Sequence, residues 1–156
     1  MDTALNILLV DDEKLILELF QDLLHAMGHS VTGTSNPTDA LAAIGREQFD
    51  IAFIDQFLGP MLGFDLMERL QRLDPDLSCV LVTGNWSTEL VVEAFQRGAV
   101  DFIAKPFFED DVIRSIAYVR KKRDLDRTRC CLMLELEQRV REKTDELMGI
   151  GQGTMG

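Results

Sequence analysis

Three carboxylates, one hydroxyl and one ammonium follow apolar runs at widely separated points of this chain. Asp11-Asp12 comes after Leu5–Val10, Asp55 after Ile51–Ile54, Thr83 after Cys79–Val82, and Lys105 after Val100–Ala104. In an open parallel sheet the carboxyl ends of the strands share one edge, and ligands bind there. If these runs are strands, residues far apart in sequence meet at one point. Such a set can hold a divalent cation and move a phosphoryl group onto a carboxylate.

Each residue type has a task in that chemistry. A hard cation such as Mg2+ takes oxygen ligands in octahedral geometry and keeps waters while bridging to phosphate. Carboxylates gathered at one edge repel each other, and a cation relieves the repulsion. One of them can then act as nucleophile and form an aspartyl-phosphate. The cation, the ammonium and the hydroxyl each neutralise or hydrogen-bond one phosphoryl oxygen. Asp11 and Asp12 suit the metal, Asp55 the nucleophile, and Thr83 and Lys105 the phosphoryl oxygens. Taken singly, the acidic pair could merely cap the next helix, and the others could be ordinary loop residues. Their joint occurrence at successive strand ends favours the functional reading.

The elements that must position them alternate along the chain. Leu5–Val10 is followed by a helix over Glu13–Met27, with Ile16, Leu19, Phe20, Leu23, Leu24 and Met27 at helical spacing and Gly28 as its stop. Ser30–Thr34 is a strand, and Asn36-Pro37 starts a second helix with Ala40, Leu41 and Ile44 on its apolar face. Ile51–Ile54 leads through a loop at Gly59-Pro60 to a helix over Phe64–Leu73. Cys79–Val82 leads to a helix over Thr88–Arg97 closed by Gly98, and Val100–Ala104 leads to Lys105-Pro106. This alternation predicts a doubly wound α/β domain, residues 1–122, with a parallel sheet covered by helices on both faces.

The remainder has another character. Residues 109–148 contain neither proline nor glycine and are dense in Glu, Arg, Lys and Leu. One long helix is expected, or two with a slight break near Arg123-Asp124. Met133, Leu136, Val140 and Leu147 follow three-four spacing with Lys143 at the intervening position, about two heptads. The segment 123–148 is therefore expected to dimerise or connect, and 149–156 to be a disordered tail.

Composition removes other classes. A formal charge of -11 over 156 residues argues against a nucleic-acid surface. The basic run Arg120-Lys121-Lys122-Arg123 is followed by Asp124 and Asp126 and reads as a solvated helix face. No apolar run reaches the ~18 residues of a membrane span, and no secretory signal is evident, so the cytoplasm is expected. Cys79 reads as a core residue, while the adjacent Cys130 and Cys131 do not match a metal or redox spacing. His25 and His29 are expected to be surface or cap residues.

With these motifs in view, the chain resembles the receiver domain of bacterial two-component response regulators over residues 4–120. Val10-Asp11-Asp12-Glu13 is similar to that family's acidic pair, Asp50–Asp55 to its phosphoacceptor strand, and Val82-Thr83-Gly84 to its hydroxyl turn. Gly98–Phe107 is similar to its last motif. The resemblance implies a flavodoxin-like five-stranded parallel sheet of order 2-1-3-4-5. It also implies phosphorylation of Asp55 by a histidine kinase or phosphotransfer protein, and Mg2+ held by Asp11, Asp12, Asp55 and the backbone carbonyl of Phe57. A cis Lys105–Pro106 bond and a switch pair of Thr83 and Phe102 are implied as well. The surface expected to change comprises the helix from Thr88, the fifth strand and the helix from Glu109. Such a module catalyses only its own phosphorylation and dephosphorylation.

The chain departs from the family pattern at Phe57, Gly59-Pro60 and Leu62. A ring at Phe57 is expected to shield an acyl phosphate from water, and Phe102 lacks a tyrosine hydroxyl, so its switch must work by packing. The run Leu134–Leu147 resembles helices that join sensor or receiver modules to kinase or cyclase outputs. A homodimer through this helix is expected. Three rivals remain in view. An aspartyl-nucleophile phosphatase would carry Asp-x-Asp on the first strand, which is absent. A nucleotide-binding domain would need a glycine-rich loop where Asp11-Asp12-Glu13 stands. The alternative function is a phosphate-independent dimerising scaffold with a receiver fold.

Overall fold

Strands buried on both faces need apolar side chains at successive positions, and the central segments of this chain supply them. The computed structural model describes residues 3–155, with side chains through residue 148. Its elements are β1 (Asn6–Val10), α1 (Lys14–Ala26), β2 (Ser30–Thr34), α2 (Pro37–Arg46), β3 (Ile51–Asp55), α3 (Gly63–Leu73), β4 (Ser78–Thr83), α4 (Thr88–Gln96), β5 (Asp101–Ala104) and α5 (Glu109–Met155). All strands pair in parallel in the order β2-β1-β3-β4-β5. This is the doubly wound, flavodoxin-like sheet, and each crossover carries a helix because parallel neighbours cannot be joined by a tight turn.

Alternate residues of each strand face opposite sides, and the core divides accordingly. Leu8, Val10, Ala52, Ile54, Cys79 and Leu81 pack with Ala40, Leu66, Met67, Leu70 and Ala94 from α2, α3 and α4. Ile7, Leu9, Ile51, Phe53, Val80 and Val82 pack with Phe20, Leu24, Val112, Ile116 and Val119 from α1 and α5. Each fully buried Leu or Ile contributes roughly 2 kcal/mol of transfer free energy. Cys79 belongs to this core, and burial pushes its thiol up to about 12.

Local signals set the ends of the elements. Asn36 caps α2 by accepting from the Asp39 N–H at 2.8 Å, with Pro37 in the first turn. Ser87 caps α4 by accepting from the Leu90 N–H at 3.2 Å. Gly28 ends α1 at φ 91°, a backbone that L side chains rarely adopt. Beyond α4, Arg97 stacks over the Phe64 ring at 4.9 Å and pairs with Glu93 at 3.0 Å and Glu68 at 3.3 Å. Element ends differ from the sequence reading by a residue or two. The main difference is that β3 and β4 include Asp55 and Thr83 within the ladder.

The chain divides into two compact units, Met1–Val119 and Arg120–Gly156; the sequence places that boundary at residue 122. α5 is a single helix without a break near Arg123-Asp124. Every side chain from 124 to 148 is exposed. The helix bounds run to Met155, into the stretch 149–156 that the sequence leaves unstructured; each residue added to a formed helix gains one backbone hydrogen bond. Gly156 lies outside the described residues. Among the described residues no helix is long and apolar enough to cross a membrane.

Candidate functional site

β1 and β3 are hydrogen-bonded neighbours, with Val10 in register with Ile54. The acids that follow, Asp11 and Asp55, are therefore carried to the same sheet edge. Both are buried, whereas Asp12 is exposed. One carboxylate oxygen from each of Asp11, Asp12 and Asp55 lies within 4.8 Å of the others. Such a set of hard oxygen donors fits a small divalent cation and offers nothing soft to a transition metal.

Lys105 arrives from the far side of the site, after β5. Its backbone N–H donates to the Thr83 carbonyl at 2.9 Å, which ties β5 to the end of β4. The Lys105–Pro106 bond is cis. The Lys105 ammonium donates to Asp11 Oδ2 at 2.7 Å and to Asp55 Oδ2 at 3.4 Å, with all three side chains largely buried. The other oxygen of Asp11 accepts from the Glu13 N–H at 2.9 Å. Asp11 thus shapes the turn into α1 and also faces the ammonium, so its structural and chemical readings hold together.

Electrostatics match this geometry. Burial is the largest influence on Asp55 and raises its carboxyl above the ordinary range; Lys105 pulls it down, and the Asp11 charge adds to the rise. The net direction is upward. Burial works against the charged form of Lys105, yet its hydrogen bond to Asp11 and the charges of Asp11 and Asp55 hold the ammonium above the ordinary lysine value. One ammonium therefore offsets part of a surplus of negative charge.

The remaining predicted residues fall around this centre. Thr83 is buried and its hydroxyl oxygen accepts from the Asn85 N–H at 3.4 Å. Phe57 follows two positions after Asp55, donates its N–H to Asp55 Oδ1 at 3.4 Å, and leaves its ring exposed. Phe102 on β5 is half-buried against the core formed with α2, α3 and α4.

Sequence reasoning missed two residues here. Gln56, next to Asp55, is buried and binds the start of α3. Gly63 stands where a Cβ would collide with the Asp55 carbonyl oxygen. A polar amide directly after a strand-end acid, and a glycine opening a helix, were the available signals. Of the two readings for His29, surface or cap, the structure gives the cap: its N–H donates to the Leu24 carbonyl at 3.1 Å beyond Gly28, while its ring is buried and Nδ1 accepts from the Leu5 N–H at 3.0 Å. His25 is exposed in the last turn of α1.

Known proteins are similar to this chain in sequence and fold. The family model described as the response regulator receiver domain matches residues 7–117. The C4-dicarboxylate transport transcriptional regulatory protein DctD of Rhizobium meliloti is 35% identical over 125 residues, covering 80% of this chain and 27% of that protein. The alginate biosynthesis transcriptional regulatory protein AlgB of Pseudomonas aeruginosa is 35% identical over 142 residues, covering 91% of this chain and 31% of that protein. The chain thus spans less than a third of the length of these curated relatives. A CheY-like receiver domain from Methanospirillum hungatei superposes with a TM-score of 0.74 at 30% identity, covering 80% of this chain and 99% of that one. NtrX from Brucella abortus superposes with a TM-score of 0.75 at 33% identity, over 80% of this chain and 29% of that one. With its doubly wound sheet, its clustered strand-end acids and a family match across most of its length, this chain belongs to the response regulator receiver domain family of two-component signalling.

Proposed function

We propose that this receiver accepts a phosphoryl group on Asp55 from the phosphohistidine of a sensor histidine kinase or phosphotransfer protein. Asp11, Asp12, Asp55 and the Phe57 backbone carbonyl would hold Mg2+. The observation that carries this reading is the meeting of three carboxylates within 4.8 Å beside one buried ammonium. A structural ion pair needs one acid for one base; here the negative charge is in excess, and a cation is the natural complement.

When bound, the cation supplies positive charge to the oxygens of the transferring group. The chain's own residues do the rest. An Asp55 carboxylate oxygen attacks phosphorus; the new O–P bond forms as the donor's P–N bond breaks, and the imidazole leaves with the bonding pair. Lys105 turns its ammonium from Asp55 to a phosphoryl oxygen, and the Thr83 hydroxyl donates to another. Movement of Thr83 leaves room for Phe102 to turn inward by packing alone. The surface formed by α4, β5 and the start of α5 then changes.

The signal is read through α5. Met133, Leu136, Val140 and Leu147 are exposed at three-four spacing, a pattern that a second copy of the helix would cover. The chain therefore acts as a homodimerising phosphoacceptor module, with no turnover of a separate substrate.

Intact mass after incubation with acetyl phosphate and Mg2+, run beside Asp55→Asn, tests the reading. A gain of one phosphoryl group that requires metal and is lost in the variant is the expected result. No gain under conditions where metal binds would shift the function to a phosphate-independent dimerising scaffold.

A further inference from the structure

Gln56 closes the loop 57–62 from its base. It is 2% exposed. Its backbone carbonyl accepts from the Gly63 N–H at 2.8 Å, and its side-chain Oε1 accepts from the Phe64 N–H at 3.1 Å. These are the first two amides of α3, and the N-cap residue Leu62 has no side chain able to take them. A helix start leaves its first amides without intrahelical partners. In this chain the residue beside Asp55 supplies two of the missing acceptors.

Two more features tighten the same ring. Phe57 and Leu62 pair as an isolated antiparallel bridge. At Gly63 the backbones approach so closely that a Cβ would overlap the Asp55 carbonyl oxygen and lie 2.9 Å from the Gln56 Cα. The loop is thus closed by its own bridge and pinned through Gln56 to the helix behind it. The Phe57 carbonyl sits on the first turn of this ring, one residue beyond the pin.

We infer that Gln56 is a positioning residue for the divalent cation: the bond from the Phe64 N–H to Gln56 Oε1 holds the backbone after Asp55 so that the Phe57 carbonyl faces the acidic cluster. The inference rests on the Mg2+ reading proposed above. Partners of this kind, one bond removed from a ligand, orient the ligand rather than touch the ion.

Gln56→Met keeps the length and burial of the side chain and removes the acceptor. The expected result is an Mg2+ Kd raised about tenfold, read by calorimetry or by the fluorescence of Trp86, the single tryptophan, in the loop after Thr83. The Mg2+ concentration for half-maximal phosphorylation by acetyl phosphate should rise in step, with a smaller effect on the rate at saturating metal. A purely structural role in capping α3 would lower stability and leave the Kd unchanged, and that result would overturn the inference.

Gln56→Met combined with Leu62→Ser separates the two roles and covers the case of a single variant that folds poorly. Serine at the N-cap offers α3 a new acceptor. Recovered stability with metal binding still weak supports the positioning role; recovery of both together overturns it. A wild-type chain that binds no Mg2+ at all would overturn the metal reading itself, and the role of Gln56 with it.

Discussion

Lys105 donates from Nζ to Asp11 Oδ2 at 2.7 Å across 94 residues of sequence. The same ammonium stands 3.4 Å from Asp55 Oδ2, so the two acids and the base form an uneven three-way contact. Asp11 has the closer share of the cation, and Asp55 the lesser one.

Lys105→Met should therefore have opposite effects on binding and on chemistry. Without the ammonium, Mg2+ no longer has to displace a competing cation from Asp11 and Asp55, and Mg2+ affinity is expected to rise. Phosphoryl transfer from acetyl phosphate should slow about a hundredfold, the usual cost of losing one charge-stabilising donor. The metal-free variant should lose about 3 kcal/mol of stability at neutral pH, since two buried acids are left without their base. Calorimetric titration, transfer kinetics and urea unfolding measure the three effects. A fall in Mg2+ affinity would contradict the competition argument.

The pH dependence has a defined sign. Burial, opposed by Lys105 and reinforced by Asp11, raises Asp55 above the ordinary 3.8. The folded state then holds that proton more tightly than the unfolded chain. Stability accordingly falls as pH rises from the ordinary carboxylate value through the raised folded one. Lys105 acts at the alkaline end. Burial lowers it, but Asp11 and Asp55 raise it above 10.5, so its contribution is complete below the ordinary lysine value and is lost as pH passes the raised one. Urea midpoints of metal-free protein across the acid range should show the fall in the wild type and not in Asp55→Asn. The variant should also be the more stable at neutral pH. Identical profiles for the two proteins would refute the assignment to Asp55.

Phe57 leaves its ring 44% exposed two residues after Asp55. If Asp55 carries a phosphoryl group, an apolar ring this near in sequence would slow the approach of water to it, whereas an amide would help to orient the water. Phe57→Asn is expected to shorten the phosphoryl half-life about fivefold, equivalent to about 1 kcal/mol of barrier. The decay of phosphorylated protein after removal of the donor gives the number. An unchanged half-life would remove the shielding role.

Leu136 lies at the centre of the exposed stripe on α5, with Met133 and Val140 one turn to either side. Sedimentation of the wild type is expected at the dimer mass. Leu136→Glu places a charge in the seam and should give a monomer, with the helical signal reduced as well, because a helix without packing is marginal. A monomeric wild type would leave α5 as a connector only.

Much of this molecule was legible in its residues. The apolar runs from Ile7 to Val10 and from Ile51 to Ile54 announce strands covered on both faces. Gly28, Pro37 and Gly98 mark helix ends, because the backbone they favour is a property of the residue itself. Asp11, Asp55, Thr83 and Lys105 stand out as polar residues at the ends of apolar runs. Periods and breakers act over a few residues, so sequence suffices to read them.

Other features depend on what the folded chain brings near. Nothing local to Asp11 says that one oxygen will bond the Glu13 N–H while the other meets Lys105. Gln56 has the composition of a surface loop residue, and only the return of α3 beneath β3 gives its amide oxygen the Phe64 N–H and buries it. His29 was legible as a surface or cap residue, but only the fold buries its ring and gives Nδ1 the Leu5 N–H. The sequence by itself determined which elements form, in what order and, to within a residue or two over most of the chain, where they turn polar, through steric and burial preferences each residue carries everywhere. The tertiary structure alone decided which donor meets which acceptor and which carboxyl is desolvated, because those energies depend on distances between residues that the chain order leaves free.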